Sequence, residues 1–496
     1  MAVESFLTPG ESKITVEKQV KQKPSIAELT TIESPGKPSP ADLLEEDQGE
    51  KIKKARKKPK TTPSKISISK DSILVITEKP QAAMKIALAL GNARKYSENG
   101  VPYYELTRNN EKIFVASAVG HLFNLNYKKG QKGYPIFELE WVPSFNKKNS
   151  AFTKKYYNLL KKLSGKAKEI ILATDFDVEG ELIGYNILRF ICNQKNAKRM
   201  KFSTLTKEEL IKSFQSPLKE LYWANAYAGE TRHYIDWLYG INLSRALMSS
   251  LKRNNSFKIL SIGRVQGPAL KIIIDREKEI QNFKSIPYWQ VYAVLKDHNI
   301  ELKHPKDIFN EKEIDKFKGI SSGIAKTTDK EESISPQPPF DLTTLQRESY
   351  RLFKISPSQT LSIAQQLYLS GIISYPRTSS QKIPDSIEPK KIIKALERNF
   401  PYAKKAARKT PVEGKKSDPA HPSIYPTGEF EELQGNEKKI YELIVKRFIS
   451  CFLEDAKNSN RKILLESKNK LGEPIQFTAT GLTILEKGWT DIYPYL

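Results

Sequence analysis

The chain has 496 residues, 39% hydrophobic and 10% aromatic, so it can bury a large core and should form several domains. Lys and Arg total 82 against 57 Asp and Glu, a formal net charge of +25 that favours polyanionic partners, nucleic acid before membrane. Two cysteines exclude a disulfide framework and a zinc ribbon, and neither a bilayer-spanning run nor a signal pattern is present, so we expect a soluble, cytoplasmic protein.

Residues 1–70 differ in composition from the rest of the chain. They are rich in Pro, Ser, Lys and Glu and lack a sustained apolar period, which predicts a disordered basic extension. Residues 51–60, KIKKARKKPK, could lie along phosphates or serve only as a charged linker.

The first ordered elements are predicted directly after this extension. Ser72 to Thr77 is a short apolar, β-branched run typical of a buried strand. Pro80 suits the first turn of a following helix, and Gly91 is placed to end it. Glu78 and Lys79 therefore lie at the carboxyl end of a strand, where open α/β sheets carry their chemistry, although a capping role is the simpler alternative.

A second strand and helix of the same kind follow. The strand at 170–173 leads into Asp175, Asp177 and Glu179, and the next helix has apolar residues four apart at Ile183, Ile187 and Ile191.

Parallel strand ends could bring Glu78 beside these acids. Clustered carboxylates repel one another unless a cation compensates them, which indicates a Mg²⁺ site at Glu78, Asp175, Asp177 and Glu179; helix capping by the acids is the alternative.

The order strand, Glu, helix, strand, Asp-x-Asp-x-Glu-Gly resembles the TOPRIM domain, a Rossmann-like α/β fold found in topoisomerases, primases and some nucleases. Four further segments resemble the type IA DNA topoisomerases, of archaeal topoisomerase I/III type, in the order of that family. They are AGETRHYIDWLYGINLSRAL (228–247), SIGRVQGPALKIIIDRE (261–277), 338–380 ending in SYPRTSS, and AHPSIYPTG (420–428). Departures from the commonest bacterial form at Phe176, Val178 and Ser379 leave the acids, the tyrosine and the arginine in place.

The resemblance implies a multidomain α/β, helical and β-arch architecture closed into a toroid. Its expected parts follow the basic extension in chain order: a TOPRIM domain at 71–215, a first helical DNA-groove part at 216–287, a first β-rich arch part at 288–337, a catalytic tyrosine domain at 338–457, and a resumed, incomplete arch at 458–496.

The nucleophile implied by the resemblance is Tyr375. Pro376 pushes it into an extended conformation, and two-residue spacing in an extended segment predicts that Arg377 lies beside its phenol, stabilising phenolate and phosphate charge. Tyr375 would attack single-stranded regions of negatively supercoiled DNA, form a 5′-phosphotyrosine bond and release a 3′-hydroxyl that later reseals the strand. No nucleotide cofactor is expected, since the sequence has no phosphate-binding Gly-x-x-x-x-Gly-Lys-Ser/Thr loop.

Further roles are carried over residue by residue. Glu78 would exchange a proton with the 3′ oxygen and Lys79 would neutralise the phosphate. His421 resembles a family histidine that contacts the scissile region, with a structural hydrogen bond as the alternative. The DNA-binding candidates are Arg232 and Asp236, which could instead form an intrahelical ion pair, together with Arg264 and Gln266.

Two other classes of function use parts of the same pattern. A TOPRIM nuclease or primase would need the acids but not Tyr375, and a non-enzymatic single-strand binder would need only the charge and the aromatic residues.

The segment 477–493 resembles the point at which the arch resumes, and the later Thr-x-Pro-Pro and Gly-Arg-Pro-Ser motifs of the family do not occur. We therefore expect either a truncated sequence or one half of a split enzyme that a complementing C-terminal polypeptide completes, with a shortened but self-sufficient variant as the alternative.

Overall fold

The computed structural model describes residues 72–253, 258–295 and 298–494, and the backbone of residues 3–5 and 13–19. The strands are β1 Val3–Ser5, β2 Lys13–Gln19, β3 Ser72–Thr77, β4 Arg94–Glu98, β5 Val101–Arg108, β6 Glu111–Ser117, β7 Phe123–Tyr127, β8 Leu139–Pro143, β9 Ala167–Ala173, β10 Lys198–Arg199, β11 Tyr288–Leu295, β12 Ile300–Lys303, β13 Gly323–Ile334, β14 Ala456–Lys468 and β15 Pro474–Glu486. The α-helices are α1 Pro80–Leu90, α2 Thr153–Ser164, α3 Val178–Ile187, α4 Lys207–Gln215, α5 Trp223–Arg253, α6 Gln266–Asn282, α7 Leu342–Phe353, α8 Pro357–Leu369, α9 Pro389–Leu396 and α10 Gly435–Ser450.

The chain folds into two compact units. One contains 274–334, 456–487 and the two N-terminal strands, and the other contains 72–273, 335–455 and the segment from 488 onward. The predicted TOPRIM, helical and tyrosine regions thus lie mostly in one unit, and the predicted arch strands lie in the other.

A mixed sheet organises the larger unit, with the described strand order β10-β9-β3-β6-β5-β4. β3 lies at its centre, parallel to β6 and to β9, and all six of its residues are buried. α1 begins at Pro80, as predicted, and Gly91 caps its end. The short apolar run therefore forms a central strand because both of its faces are covered.

The second predicted strand and helix are also present. β9 leads into α3, whose last turn continues as a π-helical turn at Leu188–Cys192. Ile183, Ile187 and Ile191 are buried in the core of this sheet, as their spacing predicts.

The remaining helices of this unit carry the other family-like segments. α5 is a helix of 31 residues with few buried side chains. α6, which belongs to this unit only as far as residue 273, has none. α7 and α8 each begin with a capping box, at Asp341 and Ser356, and Tyr375 lies in the irregular segment that follows α8. The last described residues pack here as well, because Trp489 and Tyr493 are fully buried. They fall in this unit and not with the arch strands, to which the sequence assigned them.

The smaller unit is built on an antiparallel sheet in the described order β1-β13-β14-β15-β12-β11-β2. Its core includes Trp289, Val291, Leu302 and Phe477. β1 and β2 pair with β13 and β11 at the two edges, so the extension predicted to be disordered contains two short strand segments. Composition averaged over seventy residues does not indicate such strands, because their partners lie far along the chain. The basic run at 51–60 lies outside the described residues, and disorder there stays a prediction.

Membrane-spanning character is absent from the helices that the structure describes. Within those ranges, none combines the length and the apolar character needed to cross a bilayer.

Candidate active site

Two neighbouring parallel strands bring the first acidic residues together. Thr77 of β3 is the register partner of Ala173 of β9, so Glu78 and Asp175 leave the sheet at the same edge. The Lys79 ammonium lies between them, with Nζ 3.3 Å from Glu78 Oε1 and 3.0 Å from Asp175 Oδ2. The structure thus brings Glu78 beside Asp175, as the strand ends predict.

Burial and crowding change the proton affinity of this cluster. Burial and the nearby Asp175 carboxylate raise the pKa of Glu78 to about 7, although Lys79 opposes the shift. For Lys79, burial lowers the pKa, but the carboxylates of Asp175 and Glu78 outweigh it and the pKa is raised. Near neutral pH, therefore, Lys79 is charged and Glu78 exchanges a proton readily.

Asp177 has two roles in the structure. It is the N-cap of α3, where its Oδ1 accepts a 2.7 Å hydrogen bond from the amide of Gly180. Its Oδ2 accepts a hydrogen bond from the hydroxyl of Tyr375 at 2.5 Å. The glycine is required by close packing, because a Cβ at Gly180 would lie 2.1 Å from the carbonyl oxygen of Asp175.

Tyr375 is held in a closed environment and is 2% exposed. Its amide donates to the carbonyl of Ser203 at 2.8 Å, and its ring packs against Tyr368 and His421 with centroid distances of 5.2 and 4.6 Å. Burial and the carboxylates of Asp175 and Asp177 raise the pKa of the phenol far above its ordinary value. In this arrangement the phenol is therefore neutral and acts as a hydrogen-bond donor.

Arg377 does not share the buried face of Tyr375. Its side chain is exposed, and within the described ranges it makes no hydrogen bond or ion pair. The two side chains thus differ in burial at the bend around Pro376, and the prediction that Arg377 lies beside the phenol stays a prediction.

His421 connects the tyrosine region to the acidic loop. Its Nε2 is 3.0 Å from the carbonyl oxygen of Phe176, and its Nδ1 is 3.0 Å from Oγ of Ser203. Because a carbonyl can only accept, we assign the proton to Nε2, and Nδ1 then accepts from Ser203. Burial lowers the pKa of His421 to about 4, so the imidazole is neutral at neutral pH.

Glu179 faces a different set of partners. Its Oε2 lies 3.1 Å from Nε2 of His121 and 3.0 Å from Nε2 of His233, and its Oε1 lies 3.2 Å from Arg232. Hydrogen bonds from the two histidines lower the pKa of Glu179 well below its ordinary value. The structure therefore separates Glu179 from the three acids nearer to Tyr375.

The candidate DNA-binding residues form a short exposed network on α5 and at the start of α6. Arg232 and Asp236 are 3.7 Å apart on one helix face, and Nε of Arg264 donates to Asp236 at 2.8 Å. Gln266 is exposed at the first residue of α6. The ion pair between Arg232 and Asp236, which the sequence offered as the alternative to DNA binding, is thus present. Both side chains are exposed, so a ligand can still reach them.

Sequence reasoning missed several residues that support the site. Tyr368 donates to Asp175 at 3.3 Å from a fully buried position. Arg199 pairs with Glu181 at 2.8 Å, with both side chains fully buried, and also donates to the carbonyl oxygen of Asp175. Tyr368 lies in one of the family-like segments, but local spacing does not reveal a contact to a residue 193 positions away.

The donor set fits a hard divalent cation. Glu78, Asp175 and Asp177 offer carboxylate oxygens, the ligands that Mg²⁺ prefers, and Asp175 and Glu78 share the single positive charge of Lys79. Toprim domains are in general Mg²⁺-binding folds.

Comparisons with known proteins give a consistent result. Residues 220–496 match the family described as DNA topoisomerase, and residues 73–205 match the Toprim domain. DNA topoisomerase 1 of Methanocaldococcus jannaschii is 46% identical over 435 residues, which cover 85% of this chain and 56% of that protein. DNA topoisomerase 1 of Pyrococcus horikoshii is 42% identical over 443 residues, covering 85% and 64%.

Fold comparison agrees. Full-length topoisomerase I from Thermotoga maritima superposes with a TM-score of 0.62 at 24% identity, covering 85% of this chain and 68% of that one. At this identity the likeness concerns the fold. The chain spans about 56% to 64% of the length of the two curated relatives named above.

Proposed function

This chain belongs to the DNA topoisomerase family, and from that membership we propose that it is a type IA enzyme that cuts and reseals one DNA strand without a nucleotide cofactor. One observation carries the proposal: the hydroxyl of Tyr375 lies 2.5 Å from a carboxylate of the Asp-x-Asp-x-Glu-Gly segment. A nuclease or a primase would need the acids but would have no use for a tyrosine at that position.

In the proposed cleavage step, Oη of Tyr375 attacks a backbone phosphorus. The phenolic proton passes to Asp177, which already accepts it in a hydrogen bond, and a bond forms between Oη and phosphorus. The bond from phosphorus to the 3′ oxygen breaks, and protonated Glu78 gives its proton to that oxygen. The products are a 5′-phosphotyrosine and a 3′-hydroxyl, and resealing is the reverse.

The negative charge of the carboxylates beside Tyr375 must be compensated before the phenol can attack, because these carboxylates keep it protonated. Lys79 is charged and close to Glu78 and Asp175, so it could stabilise the negative charge that develops on the phosphate. Arg377 is exposed and free of ion pairs within the described ranges, so it could reach the phosphate from the DNA side. His421 uses both ring nitrogens to position the loop around Tyr375, which makes it a positioning residue here.

Mg²⁺ would be held mainly by Asp175 and Asp177, with Glu78 close by. When bound, it would compensate the carboxylates and help to orient the 3′-hydroxyl for resealing. Glu179 would have to leave His121 and His233 to join this group. Its predicted part in the Mg²⁺ site therefore requires that both contacts to the histidines break.

We also propose that DNA contacts the exposed network of Arg232, Asp236, Arg264 and Gln266. The net charge of +25 supports binding to single-stranded regions of DNA, with relaxation of negative supercoils as the outcome of strand passage.

A further part of the proposal is that the region of the relatives that this chain does not match, on the same or on a second polypeptide, packs against α6. Apolar side chains project from the start of α6 and the residue before it: Val265, Leu270, Ile272 and Ile273 are 55% to 72% exposed. Several exposed apolar side chains on one short segment are typical of an interaction face. The unmatched region would cover them.

End-labelled single-stranded DNA tests the chemistry. After denaturation, label should remain covalently on the full chain, on the peptide that contains Tyr375. Tyr350→Phe, a change on the exposed face of α7, should retain the label. Free labelled ends would favour the nuclease alternative, and binding without any covalent product would favour the non-enzymatic one.

A further inference from the structure

A second cluster of metal-binding side chains lies outside the tyrosine site. His121 follows β6, Glu179 is in the first turn of α3, and His233 is in α5, so three separate elements meet at one point. Both Nε2 atoms approach the same oxygen, Oε2 of Glu179, at 3.1 and 3.0 Å. The side chains are about a quarter exposed, so solvent can reach them.

The spacing of these atoms suits a small cation. One donor atom from each residue lies within 4.8 Å of the others. In tetrahedral sites with ligands at roughly 2.0 to 2.2 Å, neighbouring donor atoms are about 3.3 Å apart. An ion could therefore enter with small side-chain movements and would replace the hydrogens that now lie between nitrogen and oxygen.

The donor types distinguish this cluster from the acids beside Tyr375. Imidazole nitrogen suits Zn²⁺ and related transition metals, whereas Mg²⁺ prefers oxygen alone. Arg232 contacts Glu179 through the other oxygen, Oε1, and its side chain is 54% exposed, so it can move aside. Two histidines and one carboxylate leave a fourth position for water.

We propose that His121, Glu179 and His233 bind one first-row transition-metal ion, Zn²⁺ being the expected class, at a site separate from the Mg²⁺ ligands. The inference rests on the geometry of the three side chains and does not depend on the proposed DNA chemistry. A bound ion would link α3 to α5 only two residues from Asp177, and would keep Glu179 out of the Mg²⁺ group.

The test uses the full chain titrated with Co²⁺ as a visible-absorption probe, followed by Zn²⁺. We expect one Co²⁺ per chain, ligand-field bands of low coordination number, displacement by Zn²⁺ and little effect of millimolar Mg²⁺. His121→Gln and His233→Gln should each weaken Co²⁺ binding by at least about tenfold, since each removes one of three ligands. Glutamine can still donate to Glu179, so these variants should fold.

Two controls separate this site from others. His298→Gln removes an exposed histidine elsewhere in the chain, and Glu78→Gln alters the acids beside Tyr375; both should keep Co²⁺ affinity. A zinc-edge anomalous peak between the three side chains in crystals would give independent support. The proposal is overturned if the chain binds no Co²⁺ below about 1 mM, if binding survives both histidine changes, or if it is lost in Glu78→Gln.

Discussion

The hydroxyl of Tyr375 donates a 2.5 Å hydrogen bond to Asp177, the same carboxylate that caps the N-terminus of α3. One side chain thus links the candidate nucleophile to the helix that follows the acidic loop. The tyrosine cannot leave this position without breaking a contact to a structural residue, so its release and the state of the acidic loop are coupled.

Tyr375→Phe should abolish covalent attachment of DNA, because only the attacking oxygen is removed. Single-strand affinity should change by less than about tenfold, or ~1.4 kcal/mol, since the buried ring remains. Gel-shift and label-transfer assays on the same preparation measure both quantities. Any residual covalent complex in the variant would show that another residue is the nucleophile.

Stability should depend on Glu78 in a definite pH window. Its pKa is raised from 4.5 to about 7, so its contribution to folding is fully present below pH 4.5 and is lost as the pH rises through 7. Glu78→Gln cannot ionise and should gain melting temperature over the parent chain as the pH increases from 5 to 8. Melting curves in metal-free buffer at both values test this, and an equal difference at the two would contradict it.

Gly180→Ala should distort the acidic loop. The new methyl would lie 2.1 Å from the carbonyl oxygen of Asp175, so the loop must shift, at a cost of about 1 to 3 kcal/mol. Both melting temperature and strand cleavage should fall. Gly481→Ala is a matched control, because no atom lies within 4 Å of its Cβ position. Equal melting temperatures in the two variants would refute the packing argument.

Replacing the basic residues of 51–60 with glutamine should flatten the salt dependence of single-strand binding. For every phosphate that the chain no longer neutralises, the slope of log affinity against log salt should fall by about 0.7. Substitution is preferable to deleting residues 1–70, because deletion would also remove β1 and β2. An unchanged slope would support the linker alternative.

Removing Mg²⁺ should impair resealing more than cleavage. In excess chelator, and in Asp175→Asn, plasmid relaxation should be weakened more than formation of the covalent complex, since the ion is assigned to placing the 3′-hydroxyl. Asp177→Asn also removes the proposed acceptor of the Tyr375 proton, so it should impair both steps. Relaxation assays in the presence and absence of added Mg²⁺ compare the two steps. Full relaxation in chelator would exclude this assignment.

Much of the local structure near the site follows from sequence pattern. β3, α1 and the buried face of α3 were predictable because apolar periodicity and the positions of Pro80 and Gly91 determine them locally. The parallel pairing that brings Glu78 to Asp175 follows from the same reasoning, because strand ends share an edge.

What sequence could not supply is side-chain direction. Spacing along the chain grouped Glu179 with Asp175 and Asp177, but its side chain contacts His121 and His233. Spacing also grouped Arg377 with Tyr375, but the Arg377 side chain is exposed to solvent. Each outcome depends on partners far along the chain. The same applies to Tyr368, whose hydroxyl donates to Asp175 across 193 positions of the chain.

The pairing of Thr77 with Ala173 has a further consequence for how such a chain can change over time. The sheet, and not the intervening polypeptide, sets the separation between Glu78 and Asp175. Insertions between them are therefore tolerable wherever they avoid the ladder, for example at the exposed hairpin tip of Asn109 and Asn110. Length can drift there in evolution, or a reporter domain can be grafted there, while both carboxylates stay where they are.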